Sequence, residues 1–379
     1  SEAMEEKKNK MNISVTRLAL QSLLERVKGA TEKAGSMPVL RCVLLQVVGN
    51  QLHASATDLE VGIVSRIDLN SADIDSAGSV LVPASTLLEV VKRLPGAHVT
   101  LVDKGNHVQV ISMDTDIKIN TEDIDQFPGV VIGEPGQQLV TIDADIYHQA
   151  IIACEHAIAS DVTKNNLNGI YFSLSGTRLT ACATDGHRLA LAGIDIEAEN
   201  VNEQSYSHLI SKKAVAEIKR LTDSRMQIYQ DGNQVAFVQA ATTLLVRLID
   251  GQFPDYRRLI PSEQPGIITL AAKDLVSAVD RVRQVYIKKT SGITLEAQNH
   301  QLVVSSSSEA GYGRDTVPAE LQGDQLTIGV SASYLTEAAS AIGGDIVIKY
   351  GTGSGPLVIL PQDYPFFDER LEVVMPMRI

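Results

Sequence analysis

Three stretches of this sequence share one pattern: VVGNQLHASATDLEVGI from Val47, SLSGTRLTACATDGHRLAL from Ser173 and EAQNHQLVVSSSSEAGYG from Glu296. In each, alternating apolar residues run into a two-residue turn of Gly, Asn or Ser type and out into alternation again, the pattern of a β-hairpin. Helical spacing precedes each hairpin. It runs through Leu20, Leu23, Leu24 and Val27 in the first copy, Ile146, Ala150, Ala153 and Cys154 in the second, and Leu275, Val279, Val282 and Tyr286 in the third. A shorter helix follows in every copy: PASTLLEVVKRLPG from Pro83, SKKAVAEIKRLTD from Ser211 and SASYLTEAASAIGG from Ser331. The first and third of these open on a small polar or proline cap and end at glycine. A second hairpin closes each copy, in VTLVDKGNHVQVIS, MQIYQDGNQVAFVQ and IVIKYGTGSGPLVIL.

The period of about 125 residues is far longer than that of a solenoid, so each copy can bury its own core. The first two copies close on similar ends, DQFPG at Asp125 and GQFPDY at Gly251, and short Pro/Gly-rich linkers follow at 133–138 and 261–266. The expected fold is therefore α+β: three tandem domains, 11–134, 138–262 and 266–379, each of antiparallel strands with two helices over one face. Residues 1–10 are polar and without periodicity and read as a mobile extension. At 379 residues the chain is long enough for several cores.

No run of eighteen apolar residues occurs, and a cytoplasmic location is the expectation. Cys42, Cys154 and Cys182 each sit in an apolar stretch without a C-x-x-C spacing, which reads as buried reduced thiols; neither a metal nor a cofactor is expected.

The net charge of -13 argues against a surface that grips nucleic acid everywhere, but it does not describe the distribution. Cations gather on the helices: Lys92 and Arg93 end one, Lys212, Lys213, Lys219 and Arg220 follow Ser211, and Arg281, Arg283, Lys288 and Lys289 follow Lys273. Arg17, Arg26 and Lys28 mark the first helix. On a single helix this is an ordinary solvated face. Repeated three times in an arc with the helices on one side, it makes a basic concave wall that meets phosphates without reading bases. Few Phe and Tyr and no Trp leave base stacking poorly supported.

The segment ATDGHRLAL, 183–191, concentrates an acid, an imidazole and a guanidinium. An enzyme using Asp185 and His187 as an acid/base pair is one reading. The surrounding sequence offers no nucleophile elbow, zinc-binding helix or phosphate-cradling loop to accompany them. The Thr-Asp pair recurs as Thr57-Asp58 in the first copy, so a hairpin-turn role is expected for it, whereas Gly186, His187 and Arg188 are special to the second. A sequence-specific DNA-binding protein is a further alternative, one that would hold a short linear duplex tightly and salt-sensitively.

The triple repeat, ATDGHRLA, DGQFPDYRRLIP at 250–261 and the terminal VVMPMRI together resemble the bacterial DNA polymerase III beta subunit family, the sliding clamps, over Met11 to Ile379. The resemblance implies a non-catalytic processivity factor: a head-to-tail homodimer, a ring of six domains with helices around duplex DNA and a continuous sheet outside. It also implies a pocket for short linear motifs of the polymerase III alpha subunit, the clamp loader, other polymerases and repair proteins. Carried onto this sequence, the pocket takes Leu167, Thr184, Gly186, His187, Arg188, Leu189, Pro254, Arg258 and Leu259. From the third domain it takes Ser331, Tyr334, Val373, Met375, Pro376, Met377 and Arg378. Leu, Pro, Val and Met would form an adaptable floor, with Arg188, Arg258, His187 and the Gly186 main chain bonding an extended peptide.

By position, Lys33 and Lys164 join the DNA-facing cations, and Ile117 and Ile119 would meet Gln284 and Val285 of the next chain. Two departures stand out: Asn165 and Asn166 replace tyrosines frequent in relatives, and Ser331 replaces a larger amide.

Overall fold

A computed structural model describes residues 10–35, 37–129, 136–161, 163–197, 205–285, 292–364 and 366–378. The expected extension up to residue 9, the first half of the 133–138 linker, and Tyr286, Lys288 and Lys289 lie outside the described residues. The expected helices are present as α1 (Arg17–Val27), α2 (Ala84–Arg93), α3 (Ala144–Cys154), α4 (Lys212–Ile218), α5 (Ala272–Val282) and α6 (Ala332–Ile342). The spacing selects buried residues on α1, Leu20, Leu23, Leu24 and Val27, on α5, Leu275, Val279 and Val282, and on α3, Ala150, Ala153 and Cys154, but Ile146 is only half-buried and Tyr147 beside it is buried. The end of α2 differs from expectation. It stops at Leu94 rather than at Gly96, because Pro95 disfavours helical geometry in the residue before it. The α6 cap is as expected, with Ser331 Oγ accepting from Tyr334 N at 3.4 Å and Gly343 closing the helix at φ +71°.

The first compact unit comprises Ser1–Ala144 with Ala216–Leu248. Its eight-stranded sheet combines strands of two successive copies: Thr242–Arg247 pairs antiparallel with Val61–Asp68, Leu244 opposite Ile63. Ser65 Oγ fastens the join at 2.8 Å from Thr242 Oγ1. A five-stranded sheet, with Asn12–Thr16 between Ile74–Ser76 and His98–Asp103, completes the unit.

The second unit, Asp145–Val215 with Ile249–Ile379, repeats the device. In its nine-stranded sheet Arg188–Asp195 pairs with Glu369–Val374, Leu191 opposite Leu371, so the last strand of the chain closes onto the second copy. Alternation gives that strand two different faces. Leu371 and Val373 join an apolar cluster with Leu167, Leu189 and Phe253. On the other face, Arg370 is 5 % exposed and bonds Glu372 at 2.6 Å, and Glu372 meets His156 Nε2 at 3.0 Å. Arg370 also donates to the carbonyls of Leu191, Leu371 and Ala153, so this buried charge is well provided with acceptors.

All three cysteines are free and buried. Burial pushes the Cys42 thiol up to about 11 and the Cys154 thiol up to about 12, and raises Cys182 well above the usual 9.0. A thiol reagent at pH 8 is therefore expected to label none of them in the native protein and all three in denaturant, followed by absorbance of the released thiolate. The linkage has a definite sign. A raised folded-state value stabilises fully below the unfolded value near 9.0, and for Cys42 that contribution is lost as pH climbs towards about 11.

Candidate functional site

The ATDGHRLAL segment folds as a hairpin exit held by its own side chains. Thr184 Oγ1 donates to Arg188 O at 2.5 Å and accepts from Gly186 N at 3.1 Å, while Asp185 Oδ1 accepts from the main-chain N of His187 and of Arg188. The first copy repeats this: Thr57 Oγ1 bonds Val61 O and Leu59 N, and Asp58 Oδ1 accepts from Glu60 and Val61 N. Both copies need a positive φ at the third position, which Gly186 adopts at +94° without strain and Leu59 at +76° with it. The shared Thr-Asp pair thus has the turn-building task expected. The Asp185 carboxylate contacts the His187 main chain, and its second oxygen holds Arg188 Nε at 3.0 Å. That is an Asx-type turn with an ion pair rather than an oriented acid/base couple.

The expected pocket residues all fall in the second unit and differ in burial. Leu167, Thr184, Leu189 and Val373 are buried and form a packed bed, with Cys182, Phe253 and Leu371 beside the three apolar ones. Leu259, Met375 and Met377 are 42 %, 38 % and 36 % exposed, which excludes ordinary core packing for the two methionines. Gly186, His187, Pro254, Arg258 and Arg378 are also exposed. The main chain ties the pieces together. Met375 N donates to His187 O at 3.0 Å, Pro376 bridges to Val330, and Met377 N donates to Gly329 O at 2.8 Å. Below the segment 256–259, Tyr171 stacks on Phe253 at 4.9 Å and tilts against Tyr256.

Arg188 departs from expectation. Its guanidinium is not open to a peptide: the side chain is 11 % exposed, pairs with Asp185 and Glu337, and lies 4.5 Å from the Tyr334 ring centroid. Asp185 in its own turn and Glu337 on α6 accept from Nε and Nη1, and the Tyr334 ring lies against the guanidinium face. Glu337, which sequence reading missed, stands three residues after Tyr334 on α6; that spacing was the available signal. Ser331 is engaged as the α6 cap. Arg258 is paired with Asp255 at 2.8 Å and remains 85 % exposed.

Among the expected DNA-facing cations, Lys164 differs: its Nζ donates to Asp185 O at 3.2 Å, placing it against the pocket turn. Lys33, Lys212 and Lys219 are exposed and Lys213 is half-buried. Lys92 pairs with Glu25, Arg93 with Glu89, Arg220 with Glu217, Arg281 with Asp315 and Arg283 with Asp280. The hydrogen bonds from Gln21 and Lys92 lower Glu25, and that from Arg93 lowers Glu89. The pairs of Lys92, Arg93, Arg281 and Arg283 are worth only about 0–1 kcal/mol, so a phosphate can take over the cation, whereas Glu217, the partner of Arg220, is buried.

Of the expected interchain residues, Ile117 is half-buried beside Val90, Arg93 and Leu94 in a groove of about 530 Å³. Ile119 differs, being 5 % exposed and covered by its own unit. Gln284 is exposed; Val285 is half-buried, and its carbonyl accepts from Ser308 Oγ at 2.5 Å.

The thrice-repeated α+β scaffold with cation-bearing helices is that of the DNA-clamp fold class. Family profiles for the N-terminal, central and C-terminal domains of the DNA polymerase III beta subunit match residues 11–131, 141–255 and 257–378. A beta sliding clamp of Caulobacter vibrioides is 30% identical over 380 residues, covering 97% of this chain and all of the relative. The solved DNA polymerase III subunit beta of Pseudomonas aeruginosa superposes with TM-score 0.90 at 28% identity, over 97% of this chain and 100% of that one. A sliding clamp from the same organism bound to griselimycin matches with TM-score 0.90 at 28% identity, covering 98% of this chain and 100% of that one. The chain belongs to the DNA polymerase III beta subunit family, and it is not an enzyme.

Proposed function

We propose that this chain acts as a DNA sliding clamp, closing head to tail with a second copy around duplex DNA and tethering the replicative polymerase to it. The observation that carries the reading is the threefold repetition of cation-bearing helices in a chain with a net charge of -13. A ring holds its substrate by topology, so its contacts can be weak, numerous and water-mediated, and the complex slides. The intrachain pairing of Lys92, Arg93, Arg281 and Arg283 suits this, since each phosphate contact exchanges with an existing partner of similar strength. Lys33, Lys212, Lys213 and Lys219 complete the set.

The domains run 11–134, 138–262 and 266–379. The ring closes where the Ile117 groove of one copy receives the segment around Gln284 and Val285 of the next. The exposed Leu259, Met375 and Met377, with the buried Leu167, Leu189 and Val373, make up the pocket that receives short motifs of the polymerase III alpha subunit, the clamp loader, other polymerases and repair proteins. Griselimycin, bound by the Pseudomonas aeruginosa relative, is a ready ligand for this chain. The protein works in the cytoplasm.

Loaded onto a nicked circular plasmid, the protein should stay through gel filtration and be released once the circle is cut at one site. Release is read from the protein that remains with the DNA peak. Equal retention on circle and linear duplex would favour sequence-directed binding and overturn the reading. Reversing Lys212, Lys213 and Lys219 to Glu is expected to shorten residence on the circle without changing the mass of the free protein. Arg220 is best left in place, because it is the partner of Glu217, itself 5 % exposed.

A further inference from the structure

The loop that leads into the last strand is rich in aromatic residues for a chain with so few. Two of its six phenylalanines, Phe366 and Phe367, stand side by side there, just after Tyr364. They meet edge to face, 4.9 Å between ring centroids, without retreating into a core. Tyr364 remains 46 % exposed and Phe366 37 %, and Ile152 on α3, which lines the same groove, is 50 % exposed. Half-buried Ile342 and Pro361 add to the apolar lining of this groove of about 550 Å³, which lies wholly within the second unit. Apolar side chains scattered singly over a surface are ordinary, but gathered around one concavity they mark a contact surface.

The charge in the groove has one sign. Asp345 and Asp363 line it, are exposed, and form no ion pair among the described residues. The end of α6 lines it too, through Ile342 and Gly343, and brings the negative end of the helix dipole. A Cβ at Gly343 or Gly344 would meet nothing within 4 Å, so the backbone at that helix end is open to a ligand. Among the described lining residues the one cation is Arg370, and it is buried and taken up by Glu372 and the carbonyls of Leu191, Leu371 and Ala153. Such a groove repels a nucleic-acid backbone or an anionic lipid surface. It attracts a cation set beside an apolar anchor, and the exposed aromatic rings add to that attraction.

We propose that this groove is a second docking surface, for a protein segment that carries an aromatic or aliphatic anchor beside lysine or arginine. It is separate from the pocket residues around the ATDGHRLAL turn. Ser331 and Tyr334 stand at the start of α6 and the groove at its end, and a helix of 11 residues spans about 16 Å. The last strand, Glu369–Val374, divides in the same way, with Arg370 at the groove and Val373 in the apolar cluster of Leu167 and Leu189. One partner can therefore hold the pocket while another holds the groove.

The test uses the full-length protein with isotope-labelled isoleucine methyl groups and two blocked pentapeptides, followed by nuclear magnetic resonance. One peptide is leucine, phenylalanine, glycine and two lysines; the other ends in two glutamates instead. The lysine peptide should shift the Ile152 and Ile342 methyl signals saturably, and the glutamate peptide should leave them in place. Asp345→Asn combined with Asp363→Asn should weaken the lysine peptide roughly three- to tenfold at low salt, an effect that fades in about 0.5 M salt. Ile152→Ser, read on the Ile342 signal, should weaken it roughly fivefold or more. The remaining isoleucine signals report the fold of each variant in the same spectrum. The chain with aspartate at both Leu259 and Met375 should bind the lysine peptide as the wild type does. Equal responses to the two peptides, no response to either, or loss of binding in that last variant would each overturn the proposal.

Discussion

Replacing Glu372 by leucine should destabilise the second unit by about 3–5 kcal/mol, because it strands a buried guanidinium. Arg370 is 5 % exposed and Glu372 1 %, so water cannot stand in for the missing carboxylate. His156 Nε2 would lose its partner at 3.0 Å as well, beside an Nδ1 that is already buried without one. The cluster links the end of α3, through Ala153 O, with the strands Arg188–Asp195 and Glu369–Val374, so the seam between the second and third copies yields first. Thermal unfolding followed by circular dichroism should show a transition lowered by roughly 6–20 °C. The double variant Arg370→Met, Glu372→Leu should recover most of that loss, since an apolar pair of similar volume has no charge to desolvate. A single-variant loss below about 1 kcal/mol would mean the pair is solvated in ways its burial denies.

The second large effect concerns the recess. Substituting aspartate for both Leu259 and Met375 should weaken binding to the polymerase III alpha subunit at least roughly thirtyfold, as expected for removing the central apolar anchors of a small interface. The unfolding midpoint should stay in place, since both side chains are more than one-third exposed. Surface plasmon resonance with the alpha subunit immobilised reads the first, calorimetry the second. An affinity within a factor of two of wild type would remove the recess as the docking site.

Much of this architecture was legible in the sequence because repetition amplifies weak local signals. The inward stripe of α1 and the capped α6 could be read residue by residue, and the Asn299-His300 turn is built on two positive φ values, as a tight hairpin requires. The joins between copies were not legible. Nothing in TTLLVR or ERLEVV says which edge it will pair with, since strand pairing is a long-range choice between similar partners. The fate of Arg188 was hidden for a related reason: Asp185 is a sequence neighbour, but Glu337 reaches it only after α6 has packed. Lys164 likewise reads as a loop cation until the fold brings it to the Asp185 carbonyl. The burial of Ile119 beside a half-exposed Ile117 depends on the covering layer, which alternation alone does not specify.

Retention on DNA depends on enclosure, and averaged electron-microscope images of the free particle test it most directly. At micromolar concentration the particle should have about twice the 40.8 kDa mass of one chain and a central opening wide enough for a duplex, roughly 20 Å or more across. A solid centre, or a mass that remains that of one chain, would contradict it.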